Sequence, residues 1–256
     1  MSRWFYAALV MVSFVGCSVK EDREACPCRL VLDLAKVDSS LVRSLNLLAV
    51  MDGHVVLSDR IDAEDFGRDY VNDLPHGDVR ISIWGGGEGY LPEDQGLVIP
   101  YGCECPPIYM QSFMADTRGE SYGCQVDLGK SHCRLTIQMD GVERIPYSLT
   151  FKGNVDGYRT DGYPSSGDFA CVAYPGDLGE SVALMPRQLD SSLILEVDDG
   201  TAVPKVFAVG EHIAASGYDW SEKNLKDVTV ILDYYITYMR IMVQGWDKEY
   251  VYDIIL

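Results

Sequence analysis

Cysteine offers more chemistry than any other residue type in this sequence, which contains eight copies. Two Cys-x-Cys pairs occur, Cys26-Pro27-Cys28 and Cys103-Glu104-Cys105. Four thiolates could hold zinc in a tetrahedral site, although structural zinc sites usually use a wider spacing between the cysteines. An exported protein loses its thiols to oxidation, so disulfides are the favoured interpretation if the chain is exported. The candidate disulfide cysteines are Cys26, Cys28, Cys103, Cys105, Cys124, Cys133 and Cys171.

Motifs of the common enzyme classes are missing from the sequence. The histidines stand singly and form no His-x-x-x-His pair, and no Gly-x-Ser-x-Gly elbow occurs. The glycine-rich stretch at residues 85–89 is followed by Pro92-Glu93-Asp94, which supplies no helix N-terminus for a phosphate and adds negative charge. We therefore expect a chain that is not an enzyme and that binds no cofactor and no metal.

The first 17 residues predict the compartment. Arg3 is the only charged residue before Lys20, and the 12 residues Trp4–Val15 are almost entirely apolar. This stretch is typical of a signal peptide, because it is too short to cross the ~30 Å of a bilayer core. A glycine followed by Cys17 resembles the lipobox of bacterial lipoproteins, in which the cysteine is acylated and becomes the mature N-terminus. We expect lipidation at Cys17, and the alternative is an ordinary signal peptide with an incidental cysteine.

The charge composition of the chain limits the kinds of molecule that it can bind. The 256 residues include 39 acidic and 21 Lys or Arg residues, which gives a formal net charge of −18. A nucleic acid is therefore not an expected partner, and neither is an anionic membrane held by electrostatic attraction alone. Apolar residues make up 47% of the chain, enough to bury a core.

The body of the sequence predicts an all-β fold. Apolar residues alternate with polar ones in six stretches, as on strands with one buried face. The alternating sets are Leu30-Leu32-Leu34, Val79-Ile81-Ile83, Leu135-Ile137-Met139, Tyr147-Leu149-Phe151, Leu193-Leu195-Val197 and Ile241-Val243. Asp52-Gly53 between two apolar runs predicts a hairpin with a type I′ turn. Short helical stretches are predicted at Ile61–Tyr70 and Tyr218–Leu225.

A weak internal duplication suggests the domain organisation. Cys28-Arg29-Leu30 and Cys133-Arg134-Leu135 each begin a predicted strand, and each is followed by a block of the usual size for one β-sandwich. We predict a signal peptide at residues 1–16, a lipidated tether at 17–25, an N-terminal β-sandwich at 26–127 and a C-terminal β-sandwich at 128–256.

Several segments together resemble a known family. The lipobox cysteine, Lys20-Glu21-Asp22-Arg23 and the run from Cys26 to Asp33 are similar to the opening of the FimB-type fimbrial anchor lipoproteins of Bacteroidales. The Asp52-Gly53 hairpin and the stretch Ile241–Trp246 extend this resemblance over nearly the whole chain. It implies two tandem transthyretin-like sandwiches, lipid anchoring on the surface of the outer membrane, and fimbrial shaft subunits as partners.

The last residues of the sequence form a candidate donor strand. The residues on one face of this extended stretch are Tyr250, Tyr252, Ile254 and Leu256. In β-strand addition, such a stretch would complete the sheet of a shaft subunit. The alternation fits equally well a last strand in the chain's own second sandwich.

Two functions follow from the sequence. The first is a lipid-anchored protein that holds a fimbrium at the outer membrane and ends its growth. The alternative is a surface lipoprotein that binds glycan or another ligand through β-sandwich loops. Tyrosine and tryptophan are frequent enough, at 16 and 4 residues, for either a core or a sugar platform.

Overall fold

The computed structural model describes residues 26–87, 96–140, 147–176, 179–201, 203–233 and 238–253. These residues form 18 strands in four sheets, with one short α-helix, and the expectation of a mostly β protein is confirmed. None of the described helices is long and apolar enough to cross a membrane.

Two sheets are built mainly from the first half of the chain, with strands numbered in chain order. The three-stranded sheet has the order β4 (Asp69–Leu74), β1 (Cys28–Asp33) and β8 (Ser121–Gln125). The second sheet has the order β3 (His54–Asp62), β2 (Ser44–Met51), β5 (Asp78–Gly85), β7 (Tyr109–Asp116) and β9 (Gly129–Lys130). We call these two sheets the first unit.

Two further sheets are built mainly from the second half, and we call them the second unit. One has the order β12 (Pro164–Ala173), β11 (Ser148–Tyr158), β14 (Ile194–Asp198) and β15 (Lys205–Phe207), and β6 (Leu97–Val98) pairs with the end of β11. The other has the order β13 (Glu180–Pro186), β10 (His132–Asp140), β16 (Val228–Asp233), β17 (Tyr238–Val243) and β18 (Glu249–Asp253). Helix α1 (Val209–Ala215) lies between β15 and β16 in the chain.

Each unit has its own cluster of buried apolar residues. The alternation predicted from sequence is confirmed, because Leu30 and Leu32 are fully buried in the first cluster, and Leu149 and Phe151 in the second. Burying side chains of this size removes each from water at a gain of about 1.5–3 kcal/mol. The two clusters therefore supply the main stabilisation of the four sheets.

The hairpin predicted at Asp52-Gly53 is confirmed. Asp52 has a φ of 50° and Gly53 a φ of 79°, and a type I′ turn requires positive φ at both central residues. The helix predicted at Ile61–Tyr70 is wrong. Strand β3 continues to Asp62 and β4 begins at Asp69, which leaves only a 3-10 turn at Ala63–Asp65.

One segment from the first half packs in the second unit. Residues Leu97–Ile108, which we call the strap, lie within the range 26–127 that the sequence assigns to the N-terminal sandwich. Four strap side chains are nevertheless buried in the second cluster. These are Leu97, Ile99, Cys105 and Ile108. After the strap the chain returns to the first unit through β7, so the two units are linked by more than one crossing.

Candidate functional site

The candidate donor stretch forms an edge strand in the structure. Strand β18 pairs antiparallel with β17, with Tyr250 opposite Ile241 and Tyr252 opposite Met239. Among the described strands β18 has no other neighbour, so one of its edges carries backbone groups available for pairing. Ile254 and Leu256 lie outside the described residues.

The inward face of β18 is aromatic. The Tyr250 ring meets Trp246 edge-on at a centroid distance of 6.0 Å, and the Tyr252 ring lies 4.9 Å from the ring of His212 in α1. Both tyrosines are partly buried against the second cluster. On the outward face, Val251 is 62% exposed. The strand therefore shows one apolar face to its own core and an apolar side chain to solvent.

The Tyr252 hydroxyl lacks a hydrogen bond in this position. Its hydroxyl is buried and has no hydrogen-bond partner among the described residues. Burial, and to a lesser extent the neighbouring Tyr250, raises the pKa of the Tyr252 phenol. A buried hydroxyl without a partner costs about 1–3 kcal/mol relative to a paired one. The intramolecular position of β18 is thus less favourable than its apolar contacts alone suggest.

The turn before β18 is held by a small set of contacts. Gly245 has a φ of 77°, which an L-residue adopts only with strain, and the Trp246 amide donates to the Val243 carbonyl at 3.0 Å. The Lys226 ammonium lies 5.2 Å from the Trp246 ring centroid, within the range of a cation–π contact. These contacts fix the base of the β17–β18 hairpin and leave the strand itself with one paired edge.

The candidate cysteines lie in several environments, and among them Cys105 and Cys171 lie near each other. Cys26 is exposed, Cys103 and Cys124 are partly buried, and the rest are buried; within the described residues all seven are free thiols. Cys28 lies in β1, whereas Cys105 belongs to the strap and the second cluster. Cys17, the lipidation candidate, lies outside the described residues.

Burial dominates the chemistry of the thiols in the second cluster. It raises the pKa of Cys171 to about 12, and it also raises the pKa of Cys105, with a further contribution from nearby Cys171. Thiols with raised pKa values are poor nucleophiles and poor metal ligands, because the thiolate is the reactive form. No group of three or more His, Cys, Asp or Glu suited to a metal occurs in the described part of the chain.

A cleft of about 850 Å³ lies where the two units meet. The turn between β11 and β12 forms part of its wall and contacts the first unit, since the Ser82 hydroxyl donates to the Thr160 carbonyl at 2.6 Å. From the first unit, Arg80 and Ser112 line the cleft, and from the second unit Arg187 does so.

Aromatic residues of the second unit line the same cleft. Tyr163 is 60% exposed, and Tyr218 meets Trp220 edge-on at 4.9 Å between ring centroids. The Trp220 indole N–H is buried without a partner in the described structure. The sequence did not predict this cleft because its lining residues are spread from Arg80 to Lys223, and no local pattern brings them together.

Comparison with known proteins establishes a similar fold but does not assign the chain to a family. No protein-family model matches the chain, and no curated protein matches its sequence. The fimbrial anchor protein Mfa2 from Porphyromonas gingivalis is similar in structure, with a TM-score of 0.60, 13% identity, and coverage of 90% of this chain and 100% of that one.

Two other solved structures are also similar. A candidate polysaccharide-binding protein from Bacteroides thetaiotaomicron has a TM-score of 0.64 at 12% identity, covering 89% of this chain and 98% of that one. A candidate adhesin from Bacteroides ovatus has a TM-score of 0.55 at 13% identity, covering 88% and 95%. At these identities the similarity establishes a shared fold over nearly the full length of each neighbour.

Proposed function

We propose that this chain is a non-catalytic, lipid-anchored base subunit that holds a fimbrium at the outer-membrane surface and ends its growth. In this proposal Cys17 carries the lipid, the two units are transthyretin-like sandwiches, and the stretch Tyr250–Leu256 joins a shaft subunit by β-strand addition. The described structure supports the proposal through β18, and the similarity to a fimbrial anchor protein supports it at the level of fold.

The observation that carries the proposal is the pairing of β18 and the burial of its side chains. It is paired on one edge, it exposes Val251, and it buries the Tyr252 hydroxyl without a partner. In the groove of another subunit, β18 would pair along both of its edges instead of one. The Tyr252 hydroxyl could then form a hydrogen bond with that subunit. The aromatic face formed by Tyr250 and Tyr252 would then fill pockets in that subunit, as alternate side chains do in strand addition.

A cross-strand lock tests whether β18 must leave β17. Arg240 and Val251 are paired in register and Val251 is 62% exposed, so Arg240→Cys with Val251→Cys would join β17 to the donor stretch when oxidised. We expect the oxidised variant to fold and be lipidated but to lose fimbriae from cells, and reduction to restore their retention. The matched control is Val251→Cys alone. Unchanged retention by the oxidised double variant would contradict donation of this strand.

Lipidation is tested separately at Cys17. Cys17→Ser is expected to abolish labelling with a radioactive fatty acid and to release fimbriae into the medium, because two or more acyl chains are needed for stable attachment. Cys26→Ser is the control, since Cys26 is exposed and lies outside both clusters. Persistent labelling would refute the lipobox, and retained fimbriae without lipid would refute the anchoring role.

The cleft favours a second candidate function, the binding of glycan. An exposed tyrosine beside arginine and aspartate side chains is the type of lining that stacks on and hydrogen-bonds to sugars. One of the structural neighbours is itself named as a candidate polysaccharide-binding protein.

Calorimetric titration with a panel of oligosaccharides would test this candidate. Binding that disappears in Tyr163→Ala and persists in Tyr174→Ala, another largely exposed tyrosine and one outside the cleft, would support it. No binding to any member of the panel would contradict this second candidate.

A further inference from the structure

The strap runs along the side of the second unit where two edge strands meet. Strands β12 and β13 are the outermost strands of their sheets, and the Gly102 amide donates to Ala170 of β12 at 2.9 Å. Farther along, the Cys105 amide donates to Leu184 of β13 at 3.2 Å. The strap thus passes from the edge of one sheet to the edge of the other and covers backbone groups of both.

Side-chain and backbone contacts fasten the strap along its length. At its start, the Ile99 amide donates to Asp156 of β11 at 2.7 Å. In its middle, the Leu184 amide donates to the Glu104 carboxylate at 2.6 Å. At its end, the Ser131 amide donates to the Ile108 carbonyl at 2.9 Å. These bonds and its four buried side chains hold the strap against both sheets of the second unit, and within it only Leu97–Val98 pairs as a strand, with β11.

The corresponding edges of the first unit are protected in another way. There β3 and β4 are the outermost strands, and they carry five charged side chains. These are Asp59, Arg60, Asp62, Asp69 and Asp73. Charges on an edge strand discourage pairing with another chain. The first unit therefore needs no covering segment at this position.

The edges beneath the strap have no such protection. The stretches Phe169–Ala173 of β12 and Ser181–Pro186 of β13 contain no charged residue. Without the strap, these two uncharged edges and the apolar interior between them would be open to any extended apolar segment.

We infer that the side of the second unit between β12 and β13 is an acceptor groove for an added segment of chain, and that its resident segment is the chain's own strap. An extended segment with the strap's pattern of buried residues is the partner that this groove fits. The inference rests on the proposed function for its biological meaning: the resident strap closes this side of a base subunit to strands of shaft subunits, which leaves β18 as its point of attachment.

A peptide that reproduces the strap tests the groove directly. The probe is a fluorescently labelled peptide of residues 97–108, added under reducing conditions to the full chain. Ile99 is 1% exposed and Val98 is 44% exposed, so Ile99→Asp should displace the resident strap, whereas Val98→Asp should leave it in place. We expect the peptide to bind Ile99→Asp at least about tenfold more tightly than it binds the unmodified chain or Val98→Asp.

Thiol labelling shows whether the strap has been displaced. Cys105 and Cys171 are buried where the strap meets β12, so displacement should expose both to a thiol reagent while the rest of the second unit stays folded. A folded Ile99→Asp variant with reactive thiols that does not bind the peptide would overturn the inference.

If Ile99→Asp fails to fold, hydrogen exchange on the unmodified chain provides a second test of the inference. The amides of Ile99, Gly102 and Cys105 should exchange faster than those of the central strand β10, through an opening that leaves β10 protected. If strap and β10 amides exchange only together, the strap is an inseparable part of the core and the inference is wrong. None of these three assays involves fimbriae, so failure of the inference is distinguishable from failure of the anchor proposal.

Discussion

The two units of this protein share one pairing scheme and differ at their edges. In the first, β1 pairs antiparallel with β4 and parallel with β8; in the second, β10 pairs antiparallel with β13 and parallel with β16. The facing sheets also correspond, since the order β3-β2-β5-β7 in the first unit matches β12-β11-β14-β15 in the second. The weak sequence repeat at Cys28-Arg29-Leu30 and Cys133-Arg134-Leu135 thus marks the equivalent central strand of each unit.

The two units differ in the elements that are added to the shared strands and in how their edge strands are protected. The second unit adds α1 before β16 and the hairpin β17–β18 after it, and the strap covers its edges. The first unit ends its three-stranded sheet at β8 and protects its other edges with charge. The same arrangement of strands therefore has charged edges in the first unit, whereas in the second unit its edges are covered by the strap or left singly paired at β18.

The largest expected effect tests the equivalence of the two central strands. Leu30 and Leu135 occupy matching positions and are 0% and 1% exposed. Leu30→Ala and Leu135→Ala should each lower the free energy of unfolding by about 2–5 kcal/mol, because each leaves a cavity in a packed core. Urea unfolding measures this, with the exposed neighbours Arg29→Ala and Arg134→Ala as matched controls. An effect at only one of the two leucines would show that the repeat is not a structural one.

A smaller effect is expected at a residue without a counterpart in the first unit's cluster. The buried Tyr158 hydroxyl donates to the Ser131 carbonyl and accepts from the Arg187 amide at 2.9 Å. Tyr158→Phe leaves both backbone groups unpaired and should lower the free energy of unfolding by about 1–3 kcal/mol. The control is Tyr163→Phe, whose ring is mostly exposed. Equal unfolding curves for the two variants would contradict a role for this hydroxyl in joining β11 to the backbone at Ser131 and Arg187.

The smallest effect is a difference in acid sensitivity between the units. His132 is 5% exposed, and its Nδ1 lies 3.0 Å from both the nitrogen and the oxygen of Ile108. Burial lowers the pKa of His132 below its usual value of 6.5; the hydrogen bond with Ile108 and nearby Asp227 oppose this shift, and nearby Lys130 adds to it. The equivalent residue of the first unit is Pro27, which does not titrate.

The direction in which stability changes with pH follows from proton uptake by His132. Below pH 6.5 an unfolded chain protonates this imidazole more readily than the folded chain does, so stability falls as the pH falls towards the lowered pKa. His132→Asn should therefore weaken the loss of stability between about pH 7 and 5. Urea unfolding at the two pH values measures the change, and an identical loss in both proteins would exclude His132 as its source.

Much of the fold could be predicted because alternation is a local property. A period of two identifies which side chains of a strand face the core, and it did so for Leu30, Ile81, Leu149 and Ile241. The Asp52-Gly53 turn could be predicted for the same reason, since its chemistry lies within two residues. The helix predicted at Ile61–Tyr70 failed because β3 and β4 continue their pairing into this stretch, with Ile61 opposite Leu45 and Asp69 opposite Asp33.

Helix α1 and the strap illustrate what local signals miss. Gly210 lowers the helix propensity of α1, yet a Cβ at this position would collide with the backbone at Ser191, so packing selects glycine there. The strap contains Pro100 and Gly102 and has the composition of a loop. Its partners in β12 and β13 are more than 60 residues away in sequence, and no local pattern identifies them.

The sequence by itself determined the class of the fold, the faces of its strands, the position of the internal repeat and the resemblance that suggested an anchor. These properties depend on neighbouring residues, whose spacing sets which side chains share a face. The tertiary structure alone decided which sheet β18 joins, which edges are charged or covered, and that a segment of the first half completes the core of the second. Those outcomes depend on contacts between distant parts of the chain, because a strand's pattern specifies a buried face but not the strand that lies beside it.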